Sequence, residues 1–233
     1  MPDIASPELP AADFLARAAL DRLQDRGARF LGSRVAIMGG AMSWVSERRL
    51  VSAISNAGGF GVIAGGALPP DLLAAEIAGT QALTDQPFGV NLITLHPRLP
   101  DLIGVCLDAR VGHIVLAGGI PSSAAVRQVK DGGARLICFA PALGLAQRLV
   151  RSGVDALILE GSEAGGHIGP VSLSVLAQEI LPHVRDVPVF VAGASAGGRR
   201  CWPIWRWAQP ARSSAPASQP QPRASPIPAS RMP

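Results

Sequence analysis

The chain has 233 residues, of which 48% are hydrophobic and 16% are charged, and its formal net charge is +4. This length suits one domain with a sizeable core, and the composition is typical of a globular protein rather than a disordered or solenoid one. Charges of both signs are interspersed in a helical pattern through residue 185, which argues against a nucleic-acid-binding patch. The polar, acidic N-terminus and the lack of an apolar run of about 18 residues argue against secretion and membrane insertion.

The three cysteines, Cys106, Cys138 and Cys201, are widely spaced and form no CxxC or Cys/His ligand pattern. Neither a disulfide framework nor a zinc site is therefore indicated, and we expect no bound metal. Unpaired thiols fit a reducing compartment, so the predicted location is the cytoplasm. Cys138 falls within a predicted strand and is expected in the core rather than as a nucleophile.

The first predicted element is a helix over roughly residues 10–26. From residue 34 onward, short apolar runs alternate with amphipathic stretches, which is the pattern of consecutive βα units. Most runs are continuously apolar, as in parallel strands that are buried on both faces. Seven strands are predicted, at residues 35–38, 60–63, 88–93, 113–117, 134–139, 155–160 and 188–192. Amphipathic helices are predicted between them, among them 46–58, 69–83 and 142–153.

These units predict an α/β fold, a TIM-type (β/α)8 barrel that is truncated after about strand 7 and occupies residues 1–193. The amphipathic helices would form its outer ring, and the helix before the first strand would cover the bottom of the barrel. A doubly wound open sheet shows the same alternation and stays open as an alternative. The motifs below favour the barrel.

The regular pattern stops after Gly193. Residues 201–233 contain three of the four Trp and a density of Pro that no helix or central strand tolerates. One interpretation is a Pro/Ser-rich disordered extension over residues 194–233. The other, which we favour, is a frameshift-derived tail produced by the loss of one base near Ala194.

In the restored reading frame, each codon joins the last base of one observed codon to the first two bases of the next. With G- or C-rich third bases, the restored sequence reads as a glycine turn, a helix, an apolar strand and a second glycine turn. Because Trp has a single codon, two of the restored residues, an Ala and a Gly, do not depend on the choice of third base. The tail therefore encodes, in another frame, the elements that the predicted barrel lacks.

The motif EGSEAGGHIG, residues 160–169, directly follows the sixth predicted strand. On a barrel this is a βα loop, where active sites lie. Two adjacent glycines let the backbone approach a planar ligand, and His167 has a side chain suited to proton transfer near neutral pH. The alternative is that His167 only caps the following helix. His96, His113 and His183 lie in less favourable contexts for catalysis.

Three further glycine-rich turns follow predicted strands, at residues 36–42, 88–92 and 191–193. Each is a weak signal alone. Together with the 160–169 motif they place loops after strands one, three, six and seven on one rim of the barrel. Backbone N–H groups at such a rim can bind a flavin ring and its phosphate.

At this point the sequence resembles the nitronate monooxygenase (2-nitropropane dioxygenase) family and the related FMN-dependent enoyl-ACP reductase. The resemblance rests on NAGGFGVIAGG (56–66), FGVNL (88–92) and EAGGHIG (163–169), followed in the restored frame by AGGIGRG and LGTRF. It covers about residues 30–193. Trp44 departs from the family pattern in the loop over the expected substrate face, which puts substrate choice in doubt.

The resemblance implies FMN as the cofactor, a nitronate or nitroalkane with O2 as substrates, and His167 as the catalytic base. The positions that match the family's flavin-binding residues are Met38, Gly39, Gly40, Asn91, Glu160, Gly165, Gly166 and Gly193. No nucleic-acid or membrane partner is expected, and a homodimer is one assembly open to the protein. The competing functions are an NAD(P)H-dependent flavin reductase of the enoyl-ACP reductase type and an inactive truncated product.

We expect the 233-residue chain to bind FMN poorly and to aggregate, because seven strands leave two barrel edges unpaired and the phosphate-binding turns are lost. The frame-restored protein should bind FMN well. Flavin absorbance near 450 nm, a rough marker of bound FMN, measures the difference between the two purified proteins. Equal flavin occupancy would contradict the prediction, and resequencing the DNA across the codon for Ala194 tests the frameshift itself.

Overall fold

The structure, a computed structural model, describes residues 11–165 and 169–193. Its helices are α1 (Ala11–Leu31), α2 (Arg48–Asn56), α3 (Pro70–Gln81), α4 (Leu99–Asp108), α5 (Ser123–Asp131), α6 (Leu143–Arg151) and α7 (Leu173–Ile180). Its strands are β1 (Met38–Gly39), β2 (Phe60–Ala64), β3 (Phe88–Ile93), β4 (His113–Ala117), β5 (Arg135–Phe139), β6 (Ala156–Glu160) and β7 (Val189–Ala192). The predicted tail, residues 194–233, lies outside the described residues.

The seven strands form one parallel sheet in the order of the chain, β1-β2-β3-β4-β5-β6-β7. A doubly wound sheet reverses its strand order at a switch point, so the consecutive order excludes that alternative. With a helix after each of the first six strands, the sheet curls into an incomplete barrel. The predicted α/β fold, a TIM-type barrel truncated after strand seven, is confirmed.

Two predicted bounds differ most from the structure: α1 continues to Leu31 rather than ending near residue 26, and the first strand begins at Met38. It was expected at residues 35–38, but the ladder with β2 contains only the pairs Met38↔Phe60 and Gly39↔Gly61. Before it, the Val35 amide donates to the Gly58 carbonyl, in the turn that precedes β2. Residues 35–36 therefore lie beside this turn, whereas the Ile37 carbonyl already accepts from the Phe60 amide of β2 at 2.9 Å. The apolar run alone did not reveal where the pairing begins.

The strands separate two apolar clusters because alternate side chains point to opposite faces of the sheet. The inner cluster holds Leu31, Phe60, Val62, Val115, Ile137, Ala156 and Ile158, and Met38, Phe139, Phe190 and Ala192 pack against it. The outer cluster joins the remaining strand residues, such as Val90, Leu92 and Leu116, to the helices. The inner cluster fills the barrel interior, as is usual for this fold.

The C-terminal end of α1 closes the amino end of the barrel, as predicted. The ring of Phe30 lies edge-on to His113, with centroids 5.3 Å apart, and the Arg135 guanidinium lies 5.2 Å from the centroid of the same ring. The Phe30 carbonyl accepts hydrogen bonds from the Arg135 guanidinium and from His113 Nε2, at 2.9 Å in the histidine case. Arg26 donates to the Arg185 carbonyl at 2.7 Å, which ties the helix to the segment before β7.

Cys106 and Cys138 are free and buried, and burial raises the pKa of each thiol to about 12. Cys138 is thus a core residue, as predicted, and a poor nucleophile near neutral pH. Within residues 11–165 and 169–193, no helix combines the length and the apolar character needed to cross a bilayer.

We expect His113 to make the fold sensitive to mild acid. Burial lowers the pKa of His113, and the nearby Arg135 adds to this, while the Phe30 carbonyl and Asp155 oppose it. A histidine whose pKa is lower in the folded than in the unfolded state stabilises the fold above its unfolded pKa, about 6.5, and loses that contribution as pH falls. The free energy of unfolding should therefore drop between about pH 7.5 and about pH 5.5.

Urea denaturation of wild type and His113→Gln at the two pH values measures this effect. Glutamine can still donate to the Phe30 carbonyl but does not titrate, so the pH-dependent loss should be smaller in the variant. His183→Gln, at an exposed position after α7, is the control and should behave as wild type. An identical pH dependence in wild type and His113→Gln would contradict the expectation.

Candidate active site

Several of the site residues predicted from the sequence lie at the carboxyl ends of the strands. Because alternate residues share a face, Asn91 lies on the inner side of β3, opposite in direction to the outer-cluster residues Val90 and Leu92. Glu160 lies two residues after Ile158 of the inner cluster and therefore points to the same face of the sheet. Met38 packs against that cluster directly. The structure therefore brings Met38, Asn91 and Glu160 to one face, at the rim where barrel enzymes hold their substrates.

The two glycines after Met38 differ in what they allow. A Cβ on Gly39 would lie 2.4 Å from Cδ1 of Ile54, so a larger residue there would have to displace the end of that side chain. A Cβ on Gly40 would have no heavy atom within 4 Å. The backbone at Gly40 is therefore open to a planar ligand, whereas Gly39 is partly covered by α2. The predicted flavin contact of Gly39 stays a prediction.

Residues 40–47 connect β1 to α2 and are held by Ser46, which is buried. The Ser46 hydroxyl donates to the Gly40 carbonyl at 2.8 Å and accepts from the Met42 amide at 2.9 Å. Its carbonyl accepts from the Ala64 amide of β2 at 3.1 Å. This hydrogen bonding anchors the loop to the sheet.

Trp44 stands at the tip of this loop with an unusual backbone. Its φ is +66°, a conformation that costs a bulky residue free energy, and its side chain is 85% exposed. A cavity of about 160 Å³ lies beside it and is lined in part by Ile63, Leu68 and Glu76. An exposed aromatic ring held at the rim by a strained backbone is a candidate contact for the apolar part of a substrate.

Two polar side chains at the end of β3 lack partners among the residues described. The Asn91 side chain makes no hydrogen bond within that part of the chain, although its carbonyl accepts from the Gly65 amide at 2.9 Å. The Thr94 hydroxyl, just after the strand, is buried and has no hydrogen-bond partner in the same set of residues. A buried hydroxyl without a protein partner is commonly satisfied by a bound water.

The loop between β6 and α7 is closed at its base by backbone hydrogen bonds. The Ser162 amide donates to the Val171 carbonyl at 2.9 Å, and the Gly169 amide donates to the Gly161 carbonyl at 3.3 Å. Gly165, farther along the loop, is exposed, and a Cβ there would have no heavy atom within 4 Å. Gly166 and His167, the predicted catalytic base, lie outside the described residues.

The turn after β7 comes close to this loop. Gly193 has φ of +154°, which favours glycine, and a Cβ on it would lie 3.5 Å from the Cβ of Glu163. Ala192, the residue before it, pairs with Glu160 across β6 and β7. The sixth and seventh strands thus deliver Glu160 and Gly193 to adjacent positions on the rim.

These features fit a flavin. The open backbone at Gly40 and Gly165 leaves room for a planar ring, and the Asn91 amide, on the inner face of the sheet, can offer hydrogen bonds to it. Among residues 11–165 and 169–193, no group of three or more His, Cys, Asp and Glu is arranged to hold a metal ion. The individual roles toward the cofactor stay predictions.

Sequence reasoning missed Thr94 and Ser46. A threonine that directly follows the 88–93 strand on the predicted rim was a usable signal for Thr94. Ser46 gave no such signal, because its two side-chain hydrogen bonds exist only once the loop has folded against Gly40.

We expect Thr94→Val to leave stability unchanged or to raise it by about 1 kcal/mol, because the buried hydroxyl loses no hydrogen bond. Thr80→Val is the matched control: the Thr80 hydroxyl is also buried but donates to the Glu76 carbonyl at 2.9 Å, so its removal should cost about 1 kcal/mol. Urea denaturation of the FMN-free proteins measures both. A loss in Thr94→Val as large as that in Thr80→Val would contradict the expectation.

Comparison with known proteins agrees with this geometry. The nitronate monooxygenase family profile matches residues 28–200. The chain is 35% identical over 182 residues to the (3aS,4S,5R,7aS)-5-hydroxy-7a-methyl-1-oxo-octahydro-1H-indene-4-carboxyl-CoA dehydrogenase of Mycobacterium tuberculosis, covering 76% of this chain and 50% of that protein. It is 28% identical to the nitronate monooxygenase of Paraburkholderia phytofirmans, over 60% of this chain and 48% of that one.

Among solved structures, FabK from Thermotoga maritima superposes with a TM-score of 0.75 at 36% identity, covering 78% of this chain and 58% of that one. The chain spans about half the length of the curated relatives named above. The match to the family profile extends over most of the chain and includes every strand of the incomplete barrel. The chain belongs to the nitronate monooxygenase family.

Proposed function

We propose that the whole protein is an FMN-dependent oxidoreductase that oxidises alkyl nitronates, or the parent nitroalkanes, with O2. The observation that carries this is the family match over residues 28–200. The rim described above supports it, because the backbone is open at Gly40 and Gly165 and the Asn91 side chain lies on the same inner face of the sheet.

The flavin would be held at the carboxyl ends of the strands. Met38, Gly40 and Gly165 would lie along the ring, with Gly39 and Gly166 beside them. Asn91 would hydrogen-bond the ring, Glu160 would contact the ring or ribityl region, and Gly193 would open the turn toward the phosphate. When bound, FMN supplies the redox chemistry, taking electrons from the nitronate and passing them to O2.

His167 would act as the proton acceptor. With a neutral nitroalkane, the C–H bond next to the nitro group breaks, its electron pair moves onto the nitro group to give the nitronate, and the proton goes to the imidazole. General-base catalysis of this kind requires a group whose pKa lies near the working pH, which an imidazole provides. A preformed nitronate already lacks that proton and needs no base.

We place the protein in the cytoplasm, which the spacing and burial of its free cysteines support. Its partners are then small molecules, a nitronate or nitroalkane and O2. A homodimer stays a prediction.

A second candidate function is oxidation or reduction of a thioester substrate, with NAD(P)H as the flavin reductant in the enoyl-ACP reductase type. One observation favours it: the identity to the carboxyl-CoA dehydrogenase of M. tuberculosis, 35%, exceeds the 28% to the nitronate monooxygenase of P. phytofirmans. The exposed ring of Trp44 also suits a substrate with a large apolar body.

We expect FMN-loaded protein to consume O2 with nitronates and nitroalkanes, and His167→Gln to lower the rate with neutral nitroalkanes by about 100-fold or more, because the proton acceptor is lost. The rate with preformed nitronates should change much less. An oxygen electrode measures both rates in the frame-restored protein, which is the one expected to bind FMN.

The second candidate makes a different prediction for the same samples. Rapid reduction of the flavin by NADPH without any nitronate, together with no O2 consumption on nitronates, would contradict nitronate oxidation and favour the thioester reaction. His183→Gln, exposed and remote from the rim, is the control for the loss of a histidine.

A further inference from the structure

An apolar surface lies at the rim where β3 and β4 end. Ile93, the last residue of β3, pairs with Ala117, the last residue of β4. Ala117 lies two residues after Val115 of the inner cluster, so both members of the pair point to the inner face of the sheet. Ile93 therefore continues the row of side chains that includes Asn91, one position nearer the open end of the barrel.

The turn after β4 lies against this side chain without covering it. Gly118 and Gly119 have φ of +75° and +145°, a backbone region that favours glycine. A Cβ on Gly118 would lie 3.4 Å from Cγ2 of Ile93, and a Cβ on Gly119 would lie 3.5 Å from Cγ of Leu95. The bare backbone of the turn therefore leaves both side chains accessible, and they are 40% and 78% exposed.

Ile120 follows these glycines and is also exposed. We call Ile93, Leu95 and Ile120 the apolar wall. Residues 89–95 and 114–126 contain no Asp, Glu, Lys or Arg. An exposed apolar residue that stands alone is ordinary on a protein surface, whereas several brought together at the rim of a site are typical of a ligand-binding groove.

We propose that the apolar wall binds the unbranched alkyl chain of the substrate, so that the protein prefers long-chain alkyl nitronates to short or charged ones. This rests on the proposed function, in which the cofactor and the nitronate meet at the same rim. The wall is separate from Trp44, which lies two strands away in the loop after β1.

The chemistry of the wall determines which end of a substrate it can accept. An alkyl chain that covers Ile93 and Leu95 removes apolar surface from water on both sides of the contact, and the gain grows with each methylene. An ionised group placed there would lose hydration and find no charged partner in the strand ends and turn that carry the wall. The reacting nitronate group must then lie toward Asn91, deeper in the barrel.

We expect kcat/KM of the FMN-loaded, frame-restored protein to rise about twofold for each methylene added between the nitronates of nitroethane and 1-nitrohexane, since a one-sided wall buries part of each added group. The rise over the whole series should be about 15-fold. Nitronates of the same lengths that end in a carboxylate should show no such rise. Initial rates of O2 consumption measure all of these values.

Leu95→Ser should reduce the ratio of kcat/KM between the hexyl and ethyl nitronates by at least about threefold, because part of the apolar contact is lost. Leu95 is so exposed that the substitution should not impair folding, and Ile93→Ala tests the second half of the wall. Leu83→Ser is the matched control, because Leu83 is an exposed leucine just after α3, at the amino end of the barrel. It should leave the ratio unchanged.

A wild-type protein whose kcat/KM does not depend on chain length would overturn the proposal and leave nitronate oxidation intact. The same ratio in Leu95→Ser and wild type would overturn it as well.

Methyl NMR with 1-octanol gives a readout that does not depend on activity, in the frame-restored protein and in the 233-residue chain, which both contain the wall. The alcohol should shift the methyl resonances of Ile93, Leu95 and Ile120 and leave those of Leu83 in place. If no nitronate is oxidised, the proposed function fails, and these shifts would still support an alkyl-binding wall. Unshifted resonances at Ile93 and Leu95 would overturn the wall whatever the activity.

Discussion

The consecutive parallel pairing of β1 to β7 is the constraint on which the other features depend. It makes every strand end at the same rim, and it gives each strand one inward and one outward row of side chains. Asn91 and Glu160 lie on one face only because each occupies an inward-pointing position of its strand, as the inner-cluster residues do. A shift of one residue in either strand would send its polar side chain outward into the helices and replace it with an apolar one.

Much of this arrangement could be predicted from the sequence where the signal is local. The 88–93 and 113–117 strands coincide with the observed bounds, because each is an apolar run that is bounded by turn residues. The first strand was predicted to begin three residues too early, because where its pairing starts depends on the turn at residues 58–59, about 20 residues later in the chain. The φ of Trp44, the buried hydroxyl of Thr94 and the contact of Glu163 with Leu173 likewise arise only from tertiary packing.

Glycine motifs proved to combine two different physical requirements. Gly161 has no room for a side chain because the backbone at the start of α7 lies against it, and Gly39 lies under the Ile54 side chain of α2, whereas Gly40 and Gly165 face open space. A sequence motif records only that glycine is present at all four positions. The atoms around each glycine are needed to tell a glycine that allows close packing from one that leaves a surface for a ligand. In this loop region they leave Gly40 and Gly165 as the positions where a cofactor ring could contact exposed backbone.

The contacts of α1 have a consequence for how the chain folds during synthesis. This helix is translated before the strands that it packs against, since its partners His113, Arg135 and Arg185 follow it by 83, 105 and 159 residues. Its last turn, with Phe30 and Leu31, therefore has no inner cluster to join until most of the chain has been translated. A growing polypeptide that exposes apolar side chains for this long is prone to aggregate unless chaperones bind it. The contacts that close the amino end of the barrel are among the last that folding can make.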